Sequence, residues 1–269
     1  MSKQNCRIAA VQMMSGPRVA ENLETAGRLV ADAVAQGARL VVLPEYFPII
    51  GAIDADRVRA GEQFGDGPIQ AWLAETARRH DIWLFAGSIP LAASTPDKMR
   101  NSSLVFNPAG ECVKRYDKVH LFGFSKGEES YDEASFIEPG DQLAKVDTPF
   151  GRVALSICYD LRFPELYRAL APVDLILVPA AFTETTGRAH WEILLRARAI
   201  ENQCYLLAVG QGGTHENGRQ THGNSMIIDP WGDILDRKAK GPGVLIADLD
   251  HQRIAEIRES LPALAHRKL

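Results

Sequence analysis

The stretch VALSICYDLRFPELYR, Val153 to Arg168, carries the clearest chemistry. An aliphatic run leads straight into Cys158, and a polar turn and a helix follow. Nucleophiles favour a strand-to-helix elbow of this kind. The side chain is presented at a sheet edge, beside free backbone N–H groups of the helix start. Those donors lower a thiol pKa and can hold an oxyanion. A lone cysteine after a strand is more often a small core residue. That reading suits Cys6, Cys112 and Cys204. It leaves unexplained why Tyr159, Asp160, Leu161 and Arg162 crowd around Cys158.

A cysteine nucleophile needs a base. The seven histidines (His80, His120, His190, His215, His222, His251 and His266) stand in no context that suggests a Cys–His dyad. Other titratable groups sit where strands end. Glu45 follows the apolar run LVVLP, Lys118 lies in RYDKVHLF, and Glu133 lies in YDEASFIEPGD. A carboxylate can take the thiol proton while an ammonium stabilises developing negative charge. Each of these residues alone reads equally as a surface charge, and spacing does not show that they meet. Arg162, four positions after Cys158, either clamps a substrate carboxylate as a bidentate fork or pairs with Glu165 or Asp160. Thr183, Thr185 and Thr186 are expected on the loop after strand 175–178 and, with Tyr159, are expected to line a pocket. His190 and Trp191 read as packing at a helix start.

Alternating strands and helices must position these groups. Cys6 to Gln12 reads as a buried strand. Pro17 to Gln36 is an amphipathic helix with a tolerated proline in its first turn and Gly37 at the C′ position. Leu40 to Leu43 is a short buried strand, Gln70 to Arg79 a helix, and Ile82 to Ser88 a strand. This order implies a parallel component. Hairpins follow at 103–116 and 226–237. Between them come strand Val153 to Cys158, a helix after Pro164, strand Leu175 to Val178, helix His190 to Gln203 and strand Cys204 to Val209. Val244 to Leu249 is a last strand, with a short helix after it. Roughly eleven strands are expected by this pattern count. Ser125 to Asp141 reads as a polar loop over a sheet edge. LVVLPEYF (40–47) and LILVPAAF (175–182) echo one another, as two buried strands ending in proline loops can do by chance.

Composition sets outer limits. The chain has 269 residues, 30 Lys+Arg and 34 Asp+Glu, so its formal charge is 30 − 34 = −4. That balance argues against a nucleic-acid binder, which carries a basic excess. Hydrophobic residues at 46% exclude extended disorder. Four scattered cysteines without a CxxC pair give neither a disulfide framework nor a structural zinc site. No apolar run approaches a membrane span, and the N-terminus has no signal-like apolar region. A soluble cytoplasmic protein is expected.

The chain resembles the nitrilase (carbon–nitrogen hydrolase) superfamily, whose signature is a Glu–Lys–Cys triad in separate blocks. LPEYF matches the first block with Glu45, YDKVHLF the second with Lys118, and ICYDLRFPELYR the third with Cys158. The blocks come in the family's order and the resemblance spans nearly the whole chain. The family's second glutamate falls at Glu133, though Glu128, Glu129 and Asp132 stand close to it. AFTETTGRAHWEILLRARAIENQCYLLA and HGNSMIIDPWGDIL resemble the branch of deaminated-glutathione amidases and ω-amidases. YFPIIG after Glu45 lacks the Asn-Ser-Pro-Tyr run of ω-amidases, which favours the deaminated-glutathione side.

The resemblance implies one α/β domain over 1–269, a four-layer α-β-β-α sandwich of mixed sheets that dimerises. Its C-terminal segment near 250–269 would pack across a partner. It implies an amidase that hydrolyses the primary amide of a small α-keto acid to carboxylate and ammonia through a cysteine thioester, with no cofactor and no metal. Glu45, Lys118, Cys158 and Glu133 would be catalytic, and Arg162, Tyr159, Thr185 and Thr186 would bind substrate. Nucleic acid and membrane are not expected partners; a homodimer or higher homo-oligomer is. The alternatives are an ω-amidase on α-ketoglutaramate, a nitrilase or N-carbamoyl amidohydrolase, and an inactive oligomeric scaffold. A metal-dependent phosphoesterase would need carboxylate and histidine clusters at ligand spacing, which the sequence does not offer.

Overall fold

A computed structural model describes residues 3–127 and 129–268. Two mixed sheets face each other. In the first, the strand order is Gly243–Leu249, Cys6–Gln12, Leu40–Val42, Trp83–Phe85, Met99–Phe106 and Ile89–Ala92, with Cys112–Asp117 also paired to Met99–Phe106. In the second it is Ile234–Lys238, Ser225–Ile228, Tyr205–Gly210, Leu175–Ala180, Gly151–Leu155 and Lys145–Thr148. Each sheet has three parallel strands at its centre and antiparallel strands outside them.

Alternation along the strands builds the layers. Ile8, Ala10, Leu40, Val42 and Phe85 point into a core shared with Val153, Leu155, Ile176 and Leu206 of the second sheet. The residues between them, Ala9, Val11, Val41 and Leu84, point the other way, onto Leu29 and Val30 of helix Val19–Ala35 and Leu73 of helix Pro68–His80. Successive strand residues face opposite sides, so strands buried on both faces need this unbroken apolar run. Helices Pro164–Leu170 and Glu184–Asn202 cover the outer face of the second sheet through Leu166, Trp191, Leu195 and Ala199. The result is helices, sheet, sheet, helices.

Several boundaries differ from the sequence expectation. Seventeen strands form among the described residues, and the additional ones are mostly short arms in polar segments. The expected loop 125–141 contains a hairpin, Gly123–Lys126 with Glu129–Asp132, followed by a 3₁₀ turn at Glu133–Ser135. The helix expected from His190 starts at Glu184, capped by the Thr183 hydroxyl, which accepts from the Thr186 N–H at 3.3 Å. Apolar periodicity misses that start because its first turns carry Thr, Gly and Arg; the Thr cap and the first-turn Glu184 were the available signal. Thr185 and Thr186 are therefore helical residues, not loop residues. The strand expected to run to Cys158 ends at Leu155, and Cys158 begins a 3₁₀ turn. Cys112 is exposed at the start of an outer strand, so the core role expected of it does not hold.

The C-terminal helix His251–Ser260 packs on its own chain. Ile254 and Ile257 are buried, and Arg258 donates to the Gln203 and Val173 carbonyls at 3.1 and 2.5 Å. Most residues beyond Leu261 stay exposed.

Candidate active site

The two echoing segments are the middle strands of the two sheets, and both deliver their ends to one place. Beyond Leu40–Val42 the chain turns at Tyr46, whose φ of 55° is a left-handed value unusual for a side-chain-bearing residue. The Ser88 hydroxyl accepts from the Tyr46 N–H at 3.0 Å, and Gln211 donates to the Glu45 carbonyl at 3.1 Å. The Glu45 carboxylate is thereby fixed at the sheet edge. Its Oε2 accepts from the Ala181 N–H at 2.7 Å, at the end of the other echoing strand. Its Oε1 accepts from Asn101 at 2.9 Å and from the Lys118 Nζ at 3.0 Å.

Lys118 follows strand Cys112–Asp117, and its side chain is fully enclosed. Its ammonium reaches Glu45 on one side and both oxygens of Glu133 on the other, at 3.0 and 2.8 Å. Glu133 further accepts from the Phe122 N–H at 2.7 Å and the Tyr46 hydroxyl at 3.2 Å. Among the acids near Glu133, Glu129 binds Thr185 and Asp132 caps the Ala134 N–H, so neither takes this place. Glu128 lies outside the described residues.

Cys158 sits on the expected elbow with φ 50°. Such a conformation costs of order 1–3 kcal/mol and persists only where its surroundings over-determine it. Here Asp160 supplies the restraint. Completely buried, it accepts from the Ile157 N–H at 2.8 Å, the Tyr116 hydroxyl at 2.7 Å and the His120 N–H at 3.1 Å, and it contacts the His120 ring. Tyr116 and His120 flank Lys118 in YDKVH. That block therefore does two jobs: Lys118 enters the site while its neighbours lock the elbow that presents Cys158.

The electrostatics are those of a desolvated, coupled cluster. Burial works against the Lys118 charge, but Glu133 and Glu45 hold its ammonium well above the ordinary range. Burial also pushes Glu133 up, yet Lys118 and the Phe122 amide bring its carboxyl below the usual value. Burial and then Glu45 push the Cys158 thiol well above its ordinary value, with Lys118 opposing. The resting nucleophile is a neutral thiol, and its proton has to leave as it attacks. Arg57 is a further buried cation, which sequence reading missed. It lies over the Tyr46 and Phe136 rings at 4.4 and 4.9 Å and is paired with Asp54.

Space divides into two parts. A crevice of about 10 Å³ is lined by Glu45, Glu133, Cys158, Tyr159, Thr183 and Thr186, among others. That leaves room for about one water. Phe122, Glu133 and Arg219 line both this crevice and an adjoining hollow of about 400 Å³. Of the expected substrate-binding residues, Tyr159 and Thr186 line the crevice. Thr185 points away to Glu129 at 2.7 Å, so the structure does not bring it into the pocket: it sits on the outward side of the helix's first turn. Arg162 lies beside the crevice, over the Tyr159 and Phe182 rings at 5.6 and 5.4 Å, with His190 at 3.3 Å. It pairs with neither Glu165 nor Asp160 among the described residues. Asn101, Tyr46, Ala181, Arg57 and Arg219 escaped sequence reading, because none carries a local pattern that marks it.

The carbon-nitrogen hydrolase family model matches residues 7–259. The chain belongs to this family. Within it, the chain is 39% identical to deaminated glutathione amidase of Yersinia enterocolitica, over 98% of this chain and 94% of that one. It is 41% identical to the enzyme of the same name from Synechocystis sp., over 96% and 97%. The solved structure of Saccharomyces cerevisiae Nit3, a member of branch 10 of the nitrilase superfamily, superposes with a TM-score of 0.87 at 30% identity, over 96% of this chain and 95% of that one. The protein is an amidase with the mixed α/β fold of the nitrilase superfamily.

Proposed function

We propose that Cys158, Glu45, Lys118 and Glu133 carry out amide hydrolysis through a thioester. The observation that carries this reading is Lys118 gripped by two carboxylates within 3.0 Å, with Glu45 and Cys158 in one crevice. Glu45 takes the thiol proton as Cys158 Sγ bonds to the substrate carbonyl carbon. The Lys118 ammonium stabilises the oxyanion. Glu45 passes the proton to the departing amine nitrogen as the C–N bond breaks. Water, deprotonated by Glu45, then attacks the thioester, and the carboxylate and the thiol are released. Glu133 holds Lys118 charged and in place.

The substrate we propose is an α-keto acid amide of the deaminated-glutathione type, the compound named for the relatives. Its scissile amide is the one that joins the glutamate-derived keto acid to cysteine, so the departing amine is cysteinylglycine; ammonia leaves only where a primary amide is offered. The narrow crevice takes the reacting carbonyl and the hollow takes the larger half. Arg162 sits on the acyl side as the anchor for the keto-acid carboxylate. The test is product analysis with deaminated glutathione, α-ketoglutaramate, a nitrile and an N-carbamoyl amino acid, plus mass spectrometry of Cys158 after quenching. An acyl adduct of the keto acid on Cys158 supports the reading. Turnover of the nitrile alone, or an unmodified Cys158, overturns it.

A homodimer is the proposed assembly. Ile193 (71% exposed), Ile200, Trp231 and Leu235 expose large apolar side chains, and Ile200 stands against the turn at Gly232. A second copy of this chain, with the exposed C-terminal residues reaching across it, would cover that face; light scattering of the purified protein tests this. Four free thiols fit a reducing cytoplasm. No helix among the described residues is long and apolar enough to cross a membrane.

A further inference from the structure

We propose that Arg219 recognises a carboxylate on the departing half of the substrate. This rests on the amidase reading above and adds a second specificity determinant, on the side of the nucleophile facing the hollow. Arg219 lines both the crevice and the hollow, so it stands where the scissile bond gives way to the leaving group. Its Nη2 donates to the Ala181 carbonyl at 3.2 Å. The N–H of the same residue donates to Glu45, which ties the guanidinium to the catalytic centre.

The rest of the guanidinium is unspent. Its Nε is enclosed without a hydrogen-bond partner, and no carboxylate pairs with it among the described residues. A guanidinium offers five donors in a planar fork matched to a carboxylate. The acids around the hollow are otherwise engaged: Asp54 with Arg57, Glu133 with Lys118, and Asp132 with the Ala134 N–H. The guanidinium carbon lies over the Tyr131 ring, 5.3 Å from its centroid.

The loop that carries Arg219 is rigid. His215 bridges the Ser15 carbonyl and the Thr221 hydroxyl at 2.8 Å each, and Asn217 donates to the Gly51 carbonyl at 2.7 Å while accepting from the Arg219 N–H. Little ordering remains to be done on binding, which is where a preorganised cation gains over a mobile one. An extended two-residue leaving group reaches ~7 Å from the scissile nitrogen, at ~3.3–3.6 Å per residue. That carries its terminal carboxylate from the crevice into the hollow.

The experiment compares deaminated glutathione with its C-terminal carboxamide, which lacks only that carboxylate, and with α-ketoglutaramate, whose leaving group is ammonia. In Arg219→Gln the preference in kcat/KM for the carboxylate over the carboxamide should fall by about tenfold to a hundredfold, as loss of a charge-assisted contact implies. The loss should sit in KM. Arg219→Lys should recover part of it, since the charge is kept but the fork is lost. An unchanged preference overturns the inference, as does a loss that falls equally on all three compounds. If removal of the keto-acid carboxylate, and not of the leaving-group one, abolishes the effect of Arg219→Gln, the assignment to the departing half is wrong. A wild type that cleaves none of the three overturns the amidase reading itself.

Discussion

Glu133→Gln isolates the charge of the second glutamate while keeping its shape. The carboxylate now accepts two bonds from Lys118, one from Phe122 and one from Tyr46. Phe122 and Tyr46 donate to different oxygens of Glu133, so the glutamine carbonyl can keep only one of them, and its amide turns a donor toward the other and toward the ammonium. Removing one partner of a buried pair costs ~3–5 kcal/mol when the other is left uncompensated. Lys118 keeps Glu45 at 3.0 Å, so the smaller range of charged hydrogen bonds, ~1.5–3 kcal/mol, applies. If that loss falls on the transition state, kcat drops by about 13- to 160-fold at 1.36 kcal/mol per decade, with a smaller change in KM.

The pH profile supplies a second readout. Lys118 is held well above its ordinary value by Glu133 and Glu45 against the pull of burial. Without Glu133 the strongest support against desolvation is gone and Glu45 is the largest that remains, so the lysine pKa falls and the alkaline loss of kcat moves to lower pH. Steady-state kinetics across pH, with a thermal melt to confirm folding, measure both effects. Glu129→Gln is the control, since Glu129 binds Thr185 at the surface and does not reach Lys118. Activity of Glu133→Gln within about threefold of wild type, with an unmoved alkaline limb, would refute the idea that Glu133 holds Lys118 in its working state.

Cys158→Ala should abolish hydrolysis while leaving the melting temperature near wild type, since a small buried side chain is traded for a smaller one; retained kcat sinks the mechanism. Lys118→Ala should lower kcat by at least ~10²-fold, the loss typical of an oxyanion donor, and a histidine variant with the same loss would point to a different base. Arg162→Lys should raise KM for keto acids more than for a neutral aliphatic amide, and equal losses would reduce Arg162 to a brace for Tyr159 and Phe182. Because burial and Glu45 push the Cys158 thiol well above its ordinary value, its alkylation by iodoacetamide should be slow near neutrality and still climbing at pH values where an ordinary thiol has levelled off; a fast, pH-independent rate from pH 6 upward would show a preformed thiolate.

Long-range placement was legible where sequence blocks carry residues that act together. Glu45, Lys118, Cys158 and Glu133 lie far apart in the chain, yet each stands in a strand-end motif, and they meet within hydrogen-bond range or in one crevice. The apolar runs at 6–12, 40–43 and 204–209 gave their strands because doubly buried strands admit little else. Polar segments hid theirs. Nothing in SKGEES announces the hairpin that carries Tyr131 and leads to Glu133, since its pairing is set by tertiary contacts and its faces are mostly solvated. Arg219 and Arg57 were invisible for a related reason: one arginine among many has no local mark, and only the walls around it show whether its charge is spent on the surface or reserved for a site.

The echo between LVVLPEYF and LILVPAAF bears on how the site is built. Chance resemblance asks nothing of the fold, yet the two segments occupy the same central place in two sheets of matching parallel core. Aligned by their prolines, the first strand ends at Val42, two residues before Pro44, and the second runs to Ala180, one residue past Pro179, yet both chains exit toward the same site. The first exit supplies the Glu45 carboxylate, and the second supplies the Ala181 N–H that orients it at 2.7 Å and the carbonyl that holds Arg219. An orienting donor from the backbone cannot be lost by side-chain mutation, and it imposes no side-chain entropy cost. The base is thus positioned by a main-chain contact between two sheets, and stability of the sheet interface becomes a condition of catalysis. Ile8→Ala, which opens a cavity at that interface but touches no reacting group, should cost ~2–5 kcal/mol of stability. It should also lower kcat at temperatures where the protein remains folded, by loosening the Glu45–Ala181 contact. A variant with the full loss of stability and an unchanged kcat would separate the two sheets' packing from the chemistry and refute this coupling.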